Sequence, residues 1–257
     1  YNVIDSPERV EPTLEDLERQ VEQAEERALV FRPTEDDFAE VRFALEKVGR
    51  THAVRCHAPW SAIPVDSTAW MQAALLRPDL VGRLLDTQVT ESIKRIDVVT
   101  KLGGRLLFGG GDMASDHGPM SSPRVFPDLL LPRVKAISDH CHERGAYHLF
   151  GTDGNVWPVA DDFYANSRID GHYEVDRRAG MDMVKVNERY PHIAMVGNIS
   201  SFTLHTGTPG DVREETRACI EEAKQTNKVI AGCSNIIICE TPVANVDALL
   251  ETIAKYR

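Results

Sequence analysis

The pattern that most restricts the fold of this chain is an alternation of short apolar runs with amphipathic segments, which begins near Thr51. Six runs have the length and apolar content of buried β-strands: residues 52–56, 105–108, 146–150, 171–175, 193–196 and 228–231. Segments with helical periodicity cover residues 123–144, 156–165, 181–189, 211–226 and 243–255. This order predicts βα units built around a parallel sheet.

The first fifty residues have a different character, since they are acidic and helical. Thr13 is placed as an N-cap before an acidic first turn, and Leu17 and Val21 follow at helical spacing. A second helix is predicted to begin near Thr34. We expect a single domain over residues 1–257, with an acidic helical part at 1–50 and βα repeats at 51–257.

Six βα units fit either an incomplete barrel or an open, doubly wound sheet. No Gly-x-Gly-x-x-Gly motif follows any of the runs, and the glycines before Asp112 lack the Lys-Ser/Thr ending of a phosphate-binding loop. The usual signature of a Rossmann nucleotide site is therefore missing. The predicted fold is an α/β (β/α)8 TIM barrel, with its N-terminal strands missing from this chain.

Charge and composition exclude several classes of function. The chain has 29 Lys and Arg against 40 Asp and Glu, a formal net charge of −11, so binding to nucleic acid or anionic lipid is disfavoured. No window of about 18 apolar residues suggests a membrane span, and Tyr1 is not followed by a recognisable signal peptide. Five scattered cysteines favour a reducing compartment, and hence a cytoplasmic location.

In parallel barrels the chemistry lies at the carboxyl ends of the strands, where the βα loops converge. Polar residues at or after the six runs are His57, Trp60, Asp112, Asp116, His117, Asp153, Asn155, Glu174, Asp176, Asn198, Cys233 and Asn235. Several carboxylates in one confined space repel one another, so they need a cation, a proton or a basic ligand.

Several of these residues also have a purely structural interpretation. Asp112 and Asp153 suit glycine-rich turns, and Asn155 and Asn198 suit helix caps. Glu174 lies within a strand, where alternation alone lets it face either the helices or the interior. His148, inside a predicted strand, is interpreted as a core histidine.

Four segments resemble the uroporphyrinogen decarboxylase (URO-D) superfamily, which includes cobalamin-dependent methyltransferases. They are residues 111–123, 150–158, 180–198 and 241–246, in the family's order. The resemblance covers about residues 105–257 and implies a distorted (β/α)8 barrel. The family's arginine-rich N-terminal strand has no counterpart here. Asn235 stands where the decarboxylases are expected to have a histidine.

The resemblance also implies candidate metal ligands. Gly151 and Asp153 occupy the positions of the methyltransferases' paired His and Cys zinc ligands, and Cys233 lies near the position of their later cysteine. The predicted zinc ligands are Asp153, Glu174 and Cys233, with His117 as a further candidate.

Charge favours methyl transfer over tetrapyrrole decarboxylation, because an acidic site penalises a substrate with eight carboxylates. We expect a methyltransferase that moves a methyl group between a small methylated substrate or thiol and cobalamin, presented by a corrinoid partner protein.

The expected catalytic residues are Asp112, Asp116, His117 and Asn235. The expected substrate-binding residues are His57, Trp60, Asn155, Asp176 and Asn198. The alternatives are a metal-free carboxy-lyase acting on a tetrapyrrole and an inactive barrel used for binding. A homodimer is the assembly that the resemblance suggests.

Overall fold

The computed structural model describes residues 12–256. The strands are β1 Arg55–His57, β2 Leu106–Gly110, β3 Ala114–Ser115, β4 Gly118–Pro119, β5 Tyr147–Gly151, β6 Gly171–Val175, β7 Ala194–Ile199 and β8 Val229–Cys233. The helices are α1 Leu14–Val30, α2 Ala39–Val48, α3 Thr68–Leu76, α4 Pro78–Lys101, α5 Leu131–Glu143, α6 Met183–Arg189, α7 Ser201–Thr206, α8 Pro209–Thr226 and α9 Val243–Tyr256.

The main sheet is parallel and curled, with the strand order β1-β2-β5-β6-β7-β8. All six strands coincide with the six apolar runs of the sequence, so the prediction of a parallel α/β fold is confirmed. The predicted (β/α)8 barrel with missing strands is confirmed in part, because residues 12–256 form a curled parallel sheet of six strands that does not close. In that part of the chain β1 and β8 are opposite edges, and no strand joins them, so the sheet forms a half-barrel.

Local sequence signals explain where the outer helices begin. Thr13 and Asp16 form a reciprocal capping box at α1, and Thr208 and Asp211 do the same at α8, where Pro209 occupies the first turn. The apolar face of α1 is buried and packs against α4. The sequence reasoning did not identify α3, α4 or α7.

The core between sheet and helices contains two buried histidines, each with a hydrogen-bond partner in the core. His148 Nδ1 lies 2.9 Å from Ser138 Oγ, which confirms the interpretation of His148 as a core residue. His172 lies 2.8 Å from the Tyr164 hydroxyl and 2.9 Å from the Thr152 carbonyl oxygen. Burial lowers the pKa of His148 to about 3 and that of His172 to about 4, so both rings are neutral at pH 7.

Within residues 12–256, no helix combines the length and the apolar character that a membrane span requires. The part of the predicted single domain that covers residues 1–11 lies outside the described residues.

Candidate active site at the carboxyl ends of the strands

Glycines allow the backbones of β2 and β5 to approach closely where the strands end. Gly110 pairs with Gly151 and has a φ of 156°. A Cβ on Gly110 would lie 2.2 Å from the Gly151 carbonyl oxygen, which no side chain can tolerate. A Cβ on Gly151 would lie 2.6 Å from Phe108 Cε2. The glycines therefore allow β2, β5 and the ring of Phe108 to pack closely where the strands end.

Three carboxylates from three strand ends interact at this position. Asp112 follows β2, Asp153 follows β5, and Glu174 lies near the end of β6. Burial and then the charges of Asp153 and Asp112 raise the pKa of Glu174 to about 7. Burial and then Asp112 also raise the pKa of Asp153, to which Asp176 adds a smaller effect. Glu174 therefore exchanges its proton near neutral pH.

An irregularity in β6 sets the direction of Glu174. Tyr173 pairs with Val196 and Val175 pairs with Gly197, so Glu174 is an extra residue in the ladder. Its φ is 75°, which is uncommon for a residue other than glycine. Its Oε2 atom would lie 3.6 Å from a Cβ built on Gly151, so the side chain faces the concave side. Simple strand alternation could not decide this orientation.

Asn235, from the loop after β8, forms a hydrogen bond with a member of the carboxylate group. Its Nδ2 donates a hydrogen bond of 2.9 Å to Asp153 Oδ2, across 82 residues of sequence. Its Oδ1 accepts a 2.7 Å hydrogen bond from the backbone N–H of Ile236, which fixes the amide's orientation. The hydrogen bond from Asn235 favours the ionised form of Asp153 and opposes the effect of burial.

Cys233 lies near this group, but the described residues do not form a metal site. Burial raises the pKa of the Cys233 thiol, with a smaller contribution from the charge of Glu174. Among residues 12–256, no group of three or more His, Cys, Asp or Glu side chains is arranged to hold a metal ion. Asp153, Glu174 and Cys233 thus do not fit zinc in this arrangement.

Asp116 and His117 lie outside the carboxylate group. They occupy the tip of the β3–β4 hairpin, which the sequence analysis did not predict, and their side chains are 66% and 92% exposed. Ser115 Oγ accepts the His117 backbone N–H and donates to the Gly118 carbonyl, so the turn is held by its own atoms. Within the described chain neither residue has a hydrogen bond or ion pair to Asp112, Asp153 or Glu174.

His57 and Trp60 line a cavity of about 350 Å³ between the end of β1 and helices α1 and α4. Ser92 Oγ accepts the Trp60 backbone N–H and donates to the Trp60 carbonyl oxygen, which ties this loop to α4. Glu91 in the cavity wall contacts both Arg27 and Arg95, at 3.3 and 2.9 Å. Burial, then the charges of Arg55 and Arg95, lower the pKa of His57.

The two remaining asparagines have structural partners. Asn155 Oδ1 accepts the backbone N–H of Trp157 at the start of a helical turn. Asn198 is 1% exposed, accepts a hydrogen bond from Arg177 and donates one to Glu222. Both sides of the Asn198 amide are therefore occupied by protein. Asp176 similarly accepts the backbone N–H of Arg178, although its charge still acts on Asp153.

Sequence reasoning missed an aromatic pair beside the carboxylates. The rings of Phe108 and Tyr173 have centroids 4.7 Å apart, and the Arg55 guanidinium carbon lies 4.3 and 4.6 Å from them. The signal available in the sequence was alternation, which places Arg55 on the same face of β1 as His57 and Phe108 on the same face of β2 as Leu106; the pairing of these faces follows only from the register of the sheet.

A parallel half-barrel of βα units with polar residues at the carboxyl ends of its strands has the arrangement in which (β/α)8 barrels place their functional sites. The family model for uroporphyrinogen decarboxylase (URO-D) matches residues 40–256. The chain belongs to this family, as its motifs indicated.

The fold is also similar to a solved structure, a methyltransferase from Methanosarcina mazei. The TM-score is 0.69 and the sequence identity 22%, over 84% of this chain. The match covers 62% of the methyltransferase, so this chain spans less than two thirds of that protein. None of the curated proteins matches this sequence. The structural likeness at this identity establishes the fold alone.

Proposed function

We propose that this chain is a methyltransferase of the URO-D superfamily that acts on a small methylated substrate. The observation that supports this function is the group formed by Asp112, Asp153 and Glu174, in which burial and then the charges of the two aspartates raise the pKa of Glu174 to about 7. A group with that pKa can give a proton to an oxygen or sulfur leaving group at neutral pH.

In the proposed transfer, Glu174 protonates the leaving group and Asp153 orients the substrate. The bond between the methyl carbon and its heteroatom breaks, and the electron pair stays on the heteroatom. Glu174 then protonates that atom, while Asp153, fixed by Asn235, orients the substrate through a hydrogen bond. A corrinoid protein docked at the strand ends would supply reduced cobalt as the methyl acceptor.

The repulsion between these carboxylates also argues against a polyanionic substrate. Two unit charges 4 Å apart repel by about 4 kcal/mol at an effective dielectric of about 20. A polyanion placed against Asp112, Asp153 and Glu174 would add further repulsion of this kind. A neutral or cationic substrate relieves it.

Methyl exchange between free methylcobalamin and a neutral thiol tests the proposal, with the loss of methylcobalamin followed by absorbance. We expect Glu174→Gln and Asp153→Asn to slow turnover at least about tenfold, whereas the exposed-surface variant Asp36→Asn keeps the native rate. Native turnover by both site variants would remove the carboxylate group from the mechanism.

A second candidate is a carboxy-lyase acting on a tetrapyrrole, and the cavity beside His57 favours it. Arg27 and Arg95 line that cavity, and the charge of Arg55 adds to the effect of burial in lowering the pKa of His57. Guanidinium groups are the usual partners of substrate carboxylates. Release of CO₂ from uroporphyrinogen, reduced by Arg95→Ala and unaffected by Glu174→Gln, would favour this reaction. If neither substrate is turned over, the binding role without catalysis is favoured.

A further inference from the structure

The concave face of the sheet contains an aromatic pair that already binds a cation. Phe108 and Tyr173 meet edge to face, at an interplanar angle of 60°. The Arg55 guanidinium carbon lies 4.3 Å from one ring centroid and 4.6 Å from the other. Both distances are within the range in which a cation is attracted to a ring face.

The carboxylates of the proposed active site border this pair. The Cβ position of Gly151 is 2.6 Å from Phe108 Cε2 and 3.6 Å from Glu174 Oε2, so the ring and the carboxylate both lie against the backbone of Gly151. The positive charge of Arg55 favours the ionised form of the Glu174 carboxyl and opposes the effect of burial on its pKa. Aromatic faces and a nearby carboxylate are the combination that recognises quaternary ammonium groups in proteins.

Arg55 is held at this position weakly. It lies on the edge strand β1 and is exposed. Within residues 12–256 its guanidinium has no carboxylate within ion-pair distance and no hydrogen-bond partner, so the two ring contacts are its main interactions. A ligand that displaces Arg55 therefore breaks no ion pair or side-chain hydrogen bond within the described residues, only the two ring contacts.

From this geometry we propose that Phe108, Tyr173 and Glu174 form a binding site for an organic onium group, a quaternary ammonium or sulfonium, and that Arg55 occupies this site when the ligand is absent. This substrate class rests on the methyl-transfer function proposed above. An onium methyl donor leaves as a neutral amine or thioether that keeps the electron pair of the broken bond, and the methyl group passes to the cobalt acceptor. With such a donor Glu174 serves as a counter-charge and no proton is needed.

Isothermal titration of the full chain with choline, and with 3,3-dimethylbutan-1-ol, its uncharged carbon analogue of the same shape, tests the site. We expect choline to bind at least about tenfold more tightly than the analogue, because only the charged ligand gains from the rings and the carboxylate. Equal affinities would overturn the proposal.

Three variants then test the roles of the residues. Arg55→Ala should strengthen choline binding by about tenfold, since it removes the competing cation, and the exposed Arg50→Ala serves as a matched control without effect. Tyr173→Leu and Glu174→Gln should each weaken binding by about fivefold or more. Weaker or unchanged binding in Arg55→Ala would overturn the proposal even if Tyr173→Leu fails to fold.

The binding assay separates this inference from the proposed function. Selective choline binding without methyl transfer to or from cobalamin would leave the onium site and remove the function. Methyl transfer from a neutral donor, without discrimination between choline and its analogue, would leave the function and remove the onium site.

Discussion

The pH dependence of stability provides a direct test of the environment of Glu174. Its pKa rises from 4.5 to about 7 on folding, because the carboxyl is partly buried beside Asp153 and Asp112. The folded state therefore holds this proton more tightly than the unfolded state. The contribution to stability is fully present below about pH 4.5, falls as the pH rises, and is lost above about pH 7.

The difference in pKa sets the size of the effect. At 1.36 kcal/mol per pKa unit, ionised Glu174 destabilises the folded state by up to about 3 kcal/mol above pH 7. The value is an upper limit, since part of the carboxyl contacts water and is screened. Glu174→Gln has nearly the same shape and no charge, so it removes this cost.

The assay is urea unfolding of the native chain and Glu174→Gln at pH 5 and pH 8. We expect the two proteins to be similar at pH 5, and the variant to be more stable at pH 8 by about 2 to 3 kcal/mol. Glu46→Gln, at an exposed position of α2, provides the control and should leave the pH dependence unchanged. If the native chain and Glu174→Gln lose stability in parallel between pH 5 and pH 8, Glu174 is not in the environment described.

Three further substitutions test other parts of the structure. Asn235→Ala removes the hydrogen bond to Asp153, so the pKa of Asp153 should rise further. NMR titration of the Asp153 carboxyl measures this change. An unchanged titration would show that the loop after β8 does not reach the end of β5. Tyr164→Phe leaves His172 Nδ1 without its buried partner and should cost about 1 to 3 kcal/mol in urea unfolding, a loss that a fully hydrated His172 would not show. Thr208→Ala breaks the capping box of α8 and should cost about 1 kcal/mol, measured by thermal unfolding, whereas an unchanged melting temperature would mean that the cap is not formed.

The prediction of the strands succeeded because their signal is local. Each of the six runs is an apolar stretch bounded by helices or loops, and buried parallel strands are recognisable from that composition alone. Helix α4 was missed although it is 24 residues long. Its apolar residues recur along one face as clearly as those of α8, which was predicted, so a weak periodic signal does not explain the omission.

The candidate site was predicted in part for the same reason. Asp112, Asp153, Glu174 and Asn235 follow or end strands, and the parallel sheet brings them together without further information. Asp116 and His117 also follow β2, but the hairpin formed by β3 and β4 carries them into solvent. The position of a side chain within a loop depends on turn geometry, which spacing along the chain does not determine.

The sequence by itself determined the order of the six strands of the main sheet, the caps of α1 and α8, the family and the set of acidic residues at the strand ends, since all of these depend on nearest neighbours or on motif composition. The tertiary structure decided which of those residues meet, and it placed Arg55 over the rings of Phe108 and Tyr173. It also decided the direction of Glu174, through one extra residue in β6. Contacts of this kind join residues far apart in the chain, and their geometry follows from the register and curvature of the sheet, which no local pattern encodes.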